Sequence, residues 1–148
     1  GAPSTLAART AASAATAEAD FCVFDPPLSR QRIDFVVWTL RMSGAHSVVD
    51  LGCGEGQLLE ALVLAGFQRV VGVDHSEKRI ASVRRRVDAI KGGGQIVHVI
   101  QANILDPDER WTDMDALVLS EVLEHLPNSD FNRLSSALLG RRARIAIV

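Results

Sequence analysis

Short apolar runs alternate with segments of helical period along most of this sequence, and this alternation is the strongest constraint on its fold. Five runs have the length and composition of buried strands, and they lie at residues 47–51, 69–74, 96–100, 115–120 and 144–148. Between them, apolar residues recur at the three- and four-residue spacing of amphipathic helices. Strands that alternate with helices in this way form parallel sheets covered on both faces. The sequence therefore predicts an α/β fold with a mostly parallel, doubly wound sheet.

Capping residues and glycines place the ends of two predicted helices. Ser76 is the predicted N-cap of the helix that joins the second and third strands, and the three glycines at residues 92–94 end that helix. Asn128 or Ser129 is the predicted cap of the helix before the fifth strand.

The first part of the chain differs in composition from the rest. Residues 1–20 are rich in Ala, Ser and Thr and contain one large apolar side chain, Leu6, so they have little to bury. We expect a disordered or frayed segment over residues 1–20 and one folded domain over residues 21–148. Because the first residue is Gly1 rather than Met, the sequence also indicates a processed or fragmentary chain.

Composition excludes several classes of protein. No stretch approaches the ~18 consecutive apolar residues of a membrane-spanning helix. The formal net charge of −2 argues against binding of polyanions by bulk charge. Two cysteines, Cys22 and Cys53, are too few for a disulfide scaffold and favour a reducing compartment, for which we expect the cytoplasm.

A glycine-rich loop, with the sequence D-L-G-C-G-E-G over residues 50–56, joins the first strand to the next helix. Its glycines allow the backbone to bend and a ligand to lie against it. Asp50 can meet an amine, and Asp74, at the end of the second strand, can accept both hydroxyls of a ribose. The third glycine comes one position earlier than in the dinucleotide fingerprint. S-adenosylmethionine (AdoMet), which has a ribose and an amino-acid tail but no pyrophosphate, fits this pair of carboxylates.

The loop, the strand order and Asp74 together resemble the Rossmann-like, AdoMet-dependent methyltransferases; the alternative is a glycine-rich turn of another α/β domain. In the resembled fold, Asn103 and Ile104 follow the third strand where the adenine is held. Asn103 can also simply satisfy backbone groups of its own loop. The predicted cofactor-binding residues are Asp50, Gly52, Cys53, Gly54, Gly56, Asp74, Asn103, Ile104 and Ser120.

A cluster of acidic residues and a histidine follows the fourth strand, with the sequence E-V-L-E-H over residues 121–125. Glu121, Glu124 and His125 stand at positions i, i+3 and i+4, which share one face if the segment is helical. Two carboxylates and an imidazole suit Mg²⁺ or Mn²⁺. The alternative is a solvated acidic turn with a capping histidine.

One family is resembled closely through four patterns. They are F-x-P-P-L-x-x-Q-R at residues 24–32, D-L-G-C-G-E-G at 50–56, G-V-D at 72–74 and E-V-x-E-H at 121–125. The sequence over residues 24–148 resembles the small-RNA 2′-O-methyltransferases, which methylate the 3′-terminal ribose of RNA in RNA-mediated gene silencing. The resemblance implies that a Mg²⁺ or Mn²⁺ ion held at residues 121–125 binds the terminal hydroxyls. It also implies that the RNA contacts Pro26, Pro27, Arg30 and Arg32.

Two features of that family have no counterpart in this sequence. The family has a fourth metal ligand, a second histidine beyond the fifth strand, and none of His46, His75 and His98 lies there. Its sheet also has further strands. We therefore expect a chain truncated after strand five, either a fragment or a naturally shortened protein. A fragment is favoured, because an exposed parallel edge at strand five promotes aggregation.

Two other functions remain compatible with the same residues. One is a small-molecule methyltransferase that uses AdoMet without RNA, and the other is a truncated module that binds AdoMet without turnover. Basic runs at residues 78–79, 84–86 and 141–142 contact RNA phosphates or, as is commoner, form solvated helix faces.

Overall fold

The computed structural model describes residues 27–106, 109–119, 122, 125–139 and 145–147. The chain divides into two compact units, Gly1–Arg32 and Ile33–Val148. Within the first unit, residues 27–32 are described, so the predicted boundary between residues 20 and 21 stays a prediction. No helix among the described residues is long and apolar enough to cross a membrane.

Five strands form one sheet in the described part of the chain, and all four strand pairings are parallel. The central strand β1 (Ser47–Leu51) pairs with β2 (Arg69–Asp74) on one side and with β4 (Ala116–Val118) on the other. Outside these lie β3 (Val97–Gln101) and β5 (Ile145–Ile147), giving the order β3-β2-β1-β4-β5. The predicted doubly wound, mostly parallel sheet is confirmed. Sheets of this kind bind ligands outside the carboxyl ends of the strands, where the strand order reverses.

Six helices are found among the described residues. They are α1 (Leu28–Met42), α2 (Gln57–Leu64), α3 (Glu77–Asp88), α4 (Gly93–Ile96), α5 (Glu109–Thr112) and α6 (Asn128–Leu139). Ser76 is confirmed as the N-cap of α3, because its hydroxyl oxygen accepts the N–H of Arg79 at 3.3 Å. In α1, Val36 and Leu40 are buried, as their helical spacing predicts.

Alternate residues of the central strands face two separate apolar layers. Val48 belongs to the layer beneath α2 and α3, whereas the next residue, Val49, belongs to the opposite layer with Trp111 and Leu134. Because side chains alternate along a strand, every second residue after Val48 faces α2 and α3. Asp50 therefore lies on the α2–α3 side of the sheet, directly opposite Gly72 in the pairing of β1 with β2.

The amino-terminal edge of the sheet is held by a reciprocal pair of side chains. Asp115 Oδ2 accepts the backbone N–H of His46 at 2.9 Å and of Ser47 at 3.2 Å. In return, the Ser47 hydroxyl oxygen accepts the N–H of Asp115 at 2.8 Å. These bonds fix the register between β1 and β4 at the edge opposite the glycine loop.

The predicted end of α3 and the predicted bounds of the fourth strand are wrong by a residue or more. The glycines at residues 92–94 do not end α3, which already ends at Asp88; they begin α4 instead. A Cβ on Gly93 would collide with the carbonyl oxygen of Val87, so glycine is needed where this turn packs on the end of α3. The fourth strand begins one residue later than predicted, because Asp115 binds the start of β1 through its side chain rather than joining the ladder.

The predicted cap of α6 is also wrong. The helix already includes Asn128, and the carbonyl oxygen of Pro127 accepts the N–H groups of Asp130 and Phe131, each at 3.0 Å. Pro127 therefore takes the capping position through its backbone, a role that the preference for polar N-cap side chains does not predict.

Candidate cofactor site

The glycine loop, residues 52–56, turns sharply at the carboxyl end of β1. Gly52, Gly54 and Gly56 have φ angles of 79°, 55° and 82°, a left-handed conformation that favours glycine. The N–H groups of Gly52 and Cys53 both donate to the Val73 carbonyl oxygen, at 2.7 and 2.9 Å, which fastens the loop to β2. The sequence thus folds here into a backbone surface without side chains at its bends.

A second reason for glycine at position 52 is the segment that follows β4. A Cβ on Gly52 would lie 2.5 Å from Val122 Cγ2, a distance that real Cβ atoms do not show. Val122 packs against the apolar layer on the opposite side of the sheet from α2. The loop after β1 and the segment after β4 therefore touch, a contact that sequence reasoning did not predict.

Asp74 is buried at the end of β2, where backbone N–H groups bind both of its carboxylate oxygens. Oδ2 accepts the N–H of Gly54 at 3.0 Å, and Oδ1 accepts the N–H of Ser76 at 2.9 Å. A carboxylate oxygen has two lone pairs, so each oxygen retains acceptor capacity for a ligand hydroxyl. The bond from Gly54 thus attaches the Asp74 side chain to the glycine loop.

Asp50 is 3% exposed, and its Oδ1 has no hydrogen-bond partner. Burial, followed by repulsion from the carboxylate of Asp74, raises the pKa of Asp50 to about 7. A buried carboxylate oxygen without a donor is costly. A cation bound above the loop would stabilise the ionised form of Asp50.

Cys53 is buried beneath the loop, although the sequence placed it among the cofactor-binding residues. Its Sγ lies 3.2 Å from the position that a Cβ on Gly72 would occupy. Burial, followed by the nearby carboxylates of Asp50 and Asp74, raises the pKa of the Cys53 thiol to about 12. The thiol is therefore neutral, and Cys53 acts on the loop through its backbone and its packing.

The two residues predicted to hold adenine lie beyond β3. The Asn103 side-chain oxygen accepts the N–H of Leu105 at 3.0 Å, which is the local role that the sequence left open as the alternative. Ile104 is half-buried and packs on the apolar layer of β1 and β2 that faces away from α2. The N–H of Ala102 donates to the Asp74 carbonyl oxygen at 3.0 Å, which ties this loop to the end of β2.

Of the three predicted metal ligands, the structure describes one. Glu121 and Glu124 lie outside the described residues, as does Ser120. His125 is exposed, and its backbone N–H donates to the Val122 carbonyl oxygen at 3.2 Å. Within the part of the chain that the structure describes, no three His, Cys, Asp or Glu side chains form a group that could hold a metal. The metal site therefore stays a prediction.

Three of the predicted RNA-binding residues, Pro27, Arg30 and Arg32, lie at or just before the start of α1, and Pro26 is outside the described residues. The carbonyl oxygen of Pro27 accepts the N–H groups of Arg30 at 2.9 Å and Gln31 at 3.1 Å, so α1 begins directly after Pro27. Arg30 and Arg32 are exposed in the first turns. Their contact with RNA stays a prediction.

A family model described as "Methyltransferase domain" matches residues 48–140, which run from β1 to just beyond α6. The chain belongs to the methyltransferase domain family. The glycine loop and Asp74 lie within the matched residues, so the predicted cofactor site is part of the shared domain.

Relatives of this methyltransferase domain include the small RNA 2′-O-methyltransferase of Arabidopsis thaliana, 36% identical over 110 residues. The match covers 70% of this chain and 12% of that protein. The predicted resemblance to the small-RNA 2′-O-methyltransferases is thereby confirmed.

Two solved structures share the fold. The methyltransferase domain of bacterial CtHen1 has a TM-score of 0.70 at 31% identity, covering 76% of this chain and 60% of that one. Magnesium protoporphyrin IX methyltransferase (ChlM) from Synechocystis PCC 6803, with bound SAM, has a TM-score of 0.66 at 26% identity, covering 76% and 53%. The fold of this chain is that of the AdoMet-dependent methyltransferases.

Sequence reasoning missed two arginines that contact the glycine loop and the end of β2. Arg79 Nη1 lies 3.9 Å from Asp74 Oδ2, and Arg86 Nη1 donates to the Glu55 carbonyl oxygen at 2.9 Å. The signal was helical spacing, since Arg79, Val83 and Arg86 stand at i, i+4 and i+7 on α3. Because Val83 is buried, residues at these spacings from it lie at the border of the core, where an arginine side chain can reach the loop.

The basic run at residues 84–86 is only partly a solvated face. Arg84 Nη2 donates to the Val99 carbonyl oxygen at 3.2 Å, and Arg86 is bound to the loop. These side chains are solvent-exposed, as predicted for a solvated face, and two of them also bind backbone carbonyls. Contact between this run and RNA stays a prediction.

Proposed function

We propose that this chain is the methyl-transferring part of an enzyme that methylates the 2′-oxygen of the 3′-terminal ribose of small RNA. In this proposal AdoMet is the methyl donor, and a Mg²⁺ or Mn²⁺ ion lies beside it. The observation that carries the proposal is the contact of Val122 with Gly52. Val122 belongs to the E-V-L-E-H segment, so this contact supports a metal-binding segment adjacent to the cofactor loop.

AdoMet would lie across the carboxyl ends of β1 and β2. Asp74 would accept hydrogen bonds from the ribose hydroxyls. It would use the lone pairs that do not bind the backbone N–H groups of Gly54 and Ser76. Asp50 would place its negative charge beneath the ammonium group of the cofactor. That ammonium group would supply the hydrogen-bond donor and the positive charge that the buried Oδ1 lacks. Asn103 and Ile104 would border the adenine.

Glu121, Glu124 and His125 would hold the metal ion. Two carboxylates and one imidazole match the ligand preference of Mg²⁺ and Mn²⁺, and the one described member, His125, is exposed for coordination. When bound, the metal ion would supply a Lewis acid that favours the deprotonated form of a ribose hydroxyl.

The residues of the chain orient the two reactants. In the proposed transfer, the bond between sulfur and the methyl carbon would break while the bond from the 2′-oxygen to that carbon forms. The hydroxyl proton would pass to solvent water, and the products would be 2′-O-methylated RNA and S-adenosylhomocysteine. The glycine loop and Asp74 would fix the donor, and Pro26, Pro27, Arg30 and Arg32 would bind the RNA.

The proposal is tested by methyl incorporation from labelled AdoMet into three RNAs that differ at the 3′-terminal sugar. We expect incorporation into the RNA that ends in a ribose, and none into those that end in a 2′-deoxy or a 2′-O-methyl sugar. Equal incorporation into all three RNAs would contradict the proposed position of methylation.

The second candidate is a small-molecule methyltransferase, which the likeness to magnesium protoporphyrin IX methyltransferase favours. It would bind AdoMet through the same loop and leave all three RNAs unmethylated. Replacement of Glu124 by alanine would then leave methylation of a small-molecule acceptor unchanged. A cytoplasmic location, which the two cysteines predict, is part of either proposal.

The affinity for AdoMet is expected to rise with pH up to about 7. Below the Asp50 pKa of about 7 the carboxyl is protonated, so a cofactor ammonium that favours the ionised form must displace a proton. The dissociation constant should therefore fall by up to about tenfold per pH unit as the pH rises towards 7, and then level off. Titration calorimetry between pH 5.5 and 8 measures this slope.

Two variants identify the group responsible for that slope. Asp50→Asn should remove the pH dependence, because the amide does not ionise in this range. His75→Gln should retain it, although His75 Nδ1 lies 3.7 Å from Asp74 Oδ1. A slope that persists in Asp50→Asn and disappears in His75→Gln would exclude the role of Asp50.

A further inference from the structure

Arg86 reaches from α3 to the backbone of the glycine loop and to a side chain of α2. Its Nη1 donates to the Glu55 carbonyl oxygen at 2.9 Å, and its Nε lies 3.3 Å from Glu60 Oε2. The two side chains are about equally exposed, at 38% and 40%. Because the guanidinium is planar, the bond to Glu60 fixes the direction in which Nη1 points.

The carbonyl that Arg86 binds is the first group of a hydrogen-bonded series that ends on Asp74. The peptide group that carries the Glu55 oxygen also carries the N–H of Gly56, which donates to the Cys53 oxygen at 3.0 Å. The peptide group of that Cys53 oxygen carries the N–H of Gly54, which donates to Asp74 Oδ2 at 3.0 Å. Two peptide groups of the loop, Cys53–Gly54 and Glu55–Gly56, are therefore each hydrogen-bonded through both their N–H and their carbonyl oxygen, which links the arginine to the carboxylate.

Packing on the same helix supports this arrangement. A Cβ on Gly56 would lie 3.0 Å from Val83 Cγ1, so α3 lies directly against the loop one turn before Arg86. Hydrogen bonds in such a series polarise one another, and loss of a charged donor at one end weakens the rest.

We propose that Arg86 is a positioning residue for AdoMet, which holds the glycine loop and the acceptor face of Asp74 in the shape that receives the cofactor. This inference rests on the proposed binding of AdoMet at the loop. Arg86 does not touch the cofactor. It maintains the geometry of groups that do, so its loss weakens binding of AdoMet and leaves the transfer step of the bound complex unchanged.

The test is titration calorimetry of AdoMet, and of S-adenosylhomocysteine, against the full chain and four variants. Arg86→Ala should weaken binding by about tenfold, which corresponds to about 1.4 kcal/mol. Arg86→Lys, which retains a charged donor but not the planar geometry that binds Glu55 and Glu60 together, should recover part of that loss. Glu60→Gln should give an intermediate loss, because a neutral amide oxygen holds the Arg86 guanidinium less firmly than a carboxylate does. Arg85→Ala, on the exposed side of the same helix, is the matched control and should bind like the wild type.

Amide hydrogen exchange of the unliganded chain gives a readout that does not depend on the cofactor. The N–H groups of Gly54 and Gly56 should exchange faster in Arg86→Ala than in Arg85→Ala, while the thermal midpoints of the two variants stay close. Absence of AdoMet binding to the wild-type chain would overturn the proposed function. Equal affinities of Arg86→Ala and Arg85→Ala in a chain that binds AdoMet would overturn the role of Arg86 alone, as would failure of Arg86→Lys to recover any affinity.

Discussion

Replacement of Asp74 by alanine is expected to weaken binding of AdoMet by at least about a hundredfold. Two hydrogen bonds from ribose hydroxyls to a carboxylate, each worth about 1.5 kcal/mol or more, would be lost. The substitution also removes the acceptor of the N–H groups of Gly54 and Ser76, which shape the loop and the start of α3. Titration calorimetry with S-adenosylhomocysteine, which has the same ribose, measures the loss without turnover.

The conservative and control variants separate charge from shape at this position. Asp74→Asn retains one acceptor oxygen but turns an amide N–H₂ towards one of the two backbone donors, so it should lose nearly as much affinity. Asp113→Ala, at an exposed aspartate in the turn before β4, should bind like the wild type. Wild-type affinity in Asp74→Ala would rule out the end of β2 as the ribose site.

Replacement of His125 by alanine is expected to slow methyl transfer to RNA by at least about a hundredfold, since metal ions supply several kcal/mol to such reactions. Binding of AdoMet should change by less than about threefold, because this side chain is not among those that contact the loop or Asp74. Single-turnover transfer to an RNA with a 3′-terminal ribose, together with calorimetry, measures both quantities.

Removal and return of the metal ion should have the same effect on methyl transfer as the presence or absence of the His125 side chain. Removal of divalent ions with a chelator should reduce transfer by the wild type to the level of His125→Ala, and added Mn²⁺ or Mg²⁺ should restore only the wild type. His98→Ala, which changes an exposed histidine of β3, should transfer at the wild-type rate. Undiminished transfer in excess chelator would refute metal assistance.

Much of the fold follows from local sequence patterns, because the features that build it are short. The strands at residues 47–51 and 69–74 have the bounds that their apolar runs predict. The glycine loop and Asp74 are predictable for the same reason, since each occupies the end of one strand. In a parallel sheet those ends meet at one edge.

The remaining differences arise from contacts between distant parts of the chain. Asp115 leaves the predicted fourth strand because Ser47, far away in sequence, binds it at the sheet edge. The contact of Val122 with Gly52 and the bond from Arg86 to Glu55 also join elements whose relative position is set by the whole sheet. Periodicity describes one element at a time, so it does not reveal such pairs.

The burial of Cys53 has a consequence for an enzyme that handles a reactive alkyl donor. A sulfonium compound methylates thiolates readily, because the thiolate rather than the thiol is the nucleophile. With a pKa of about 12, only about one in 10⁵ Cys53 side chains is ionised at neutral pH. The Cys53 sulfur, which lies beneath the glycine loop, is thereby protected from methylation by the donor. The cysteine can therefore serve as a small apolar residue in the packing of the loop.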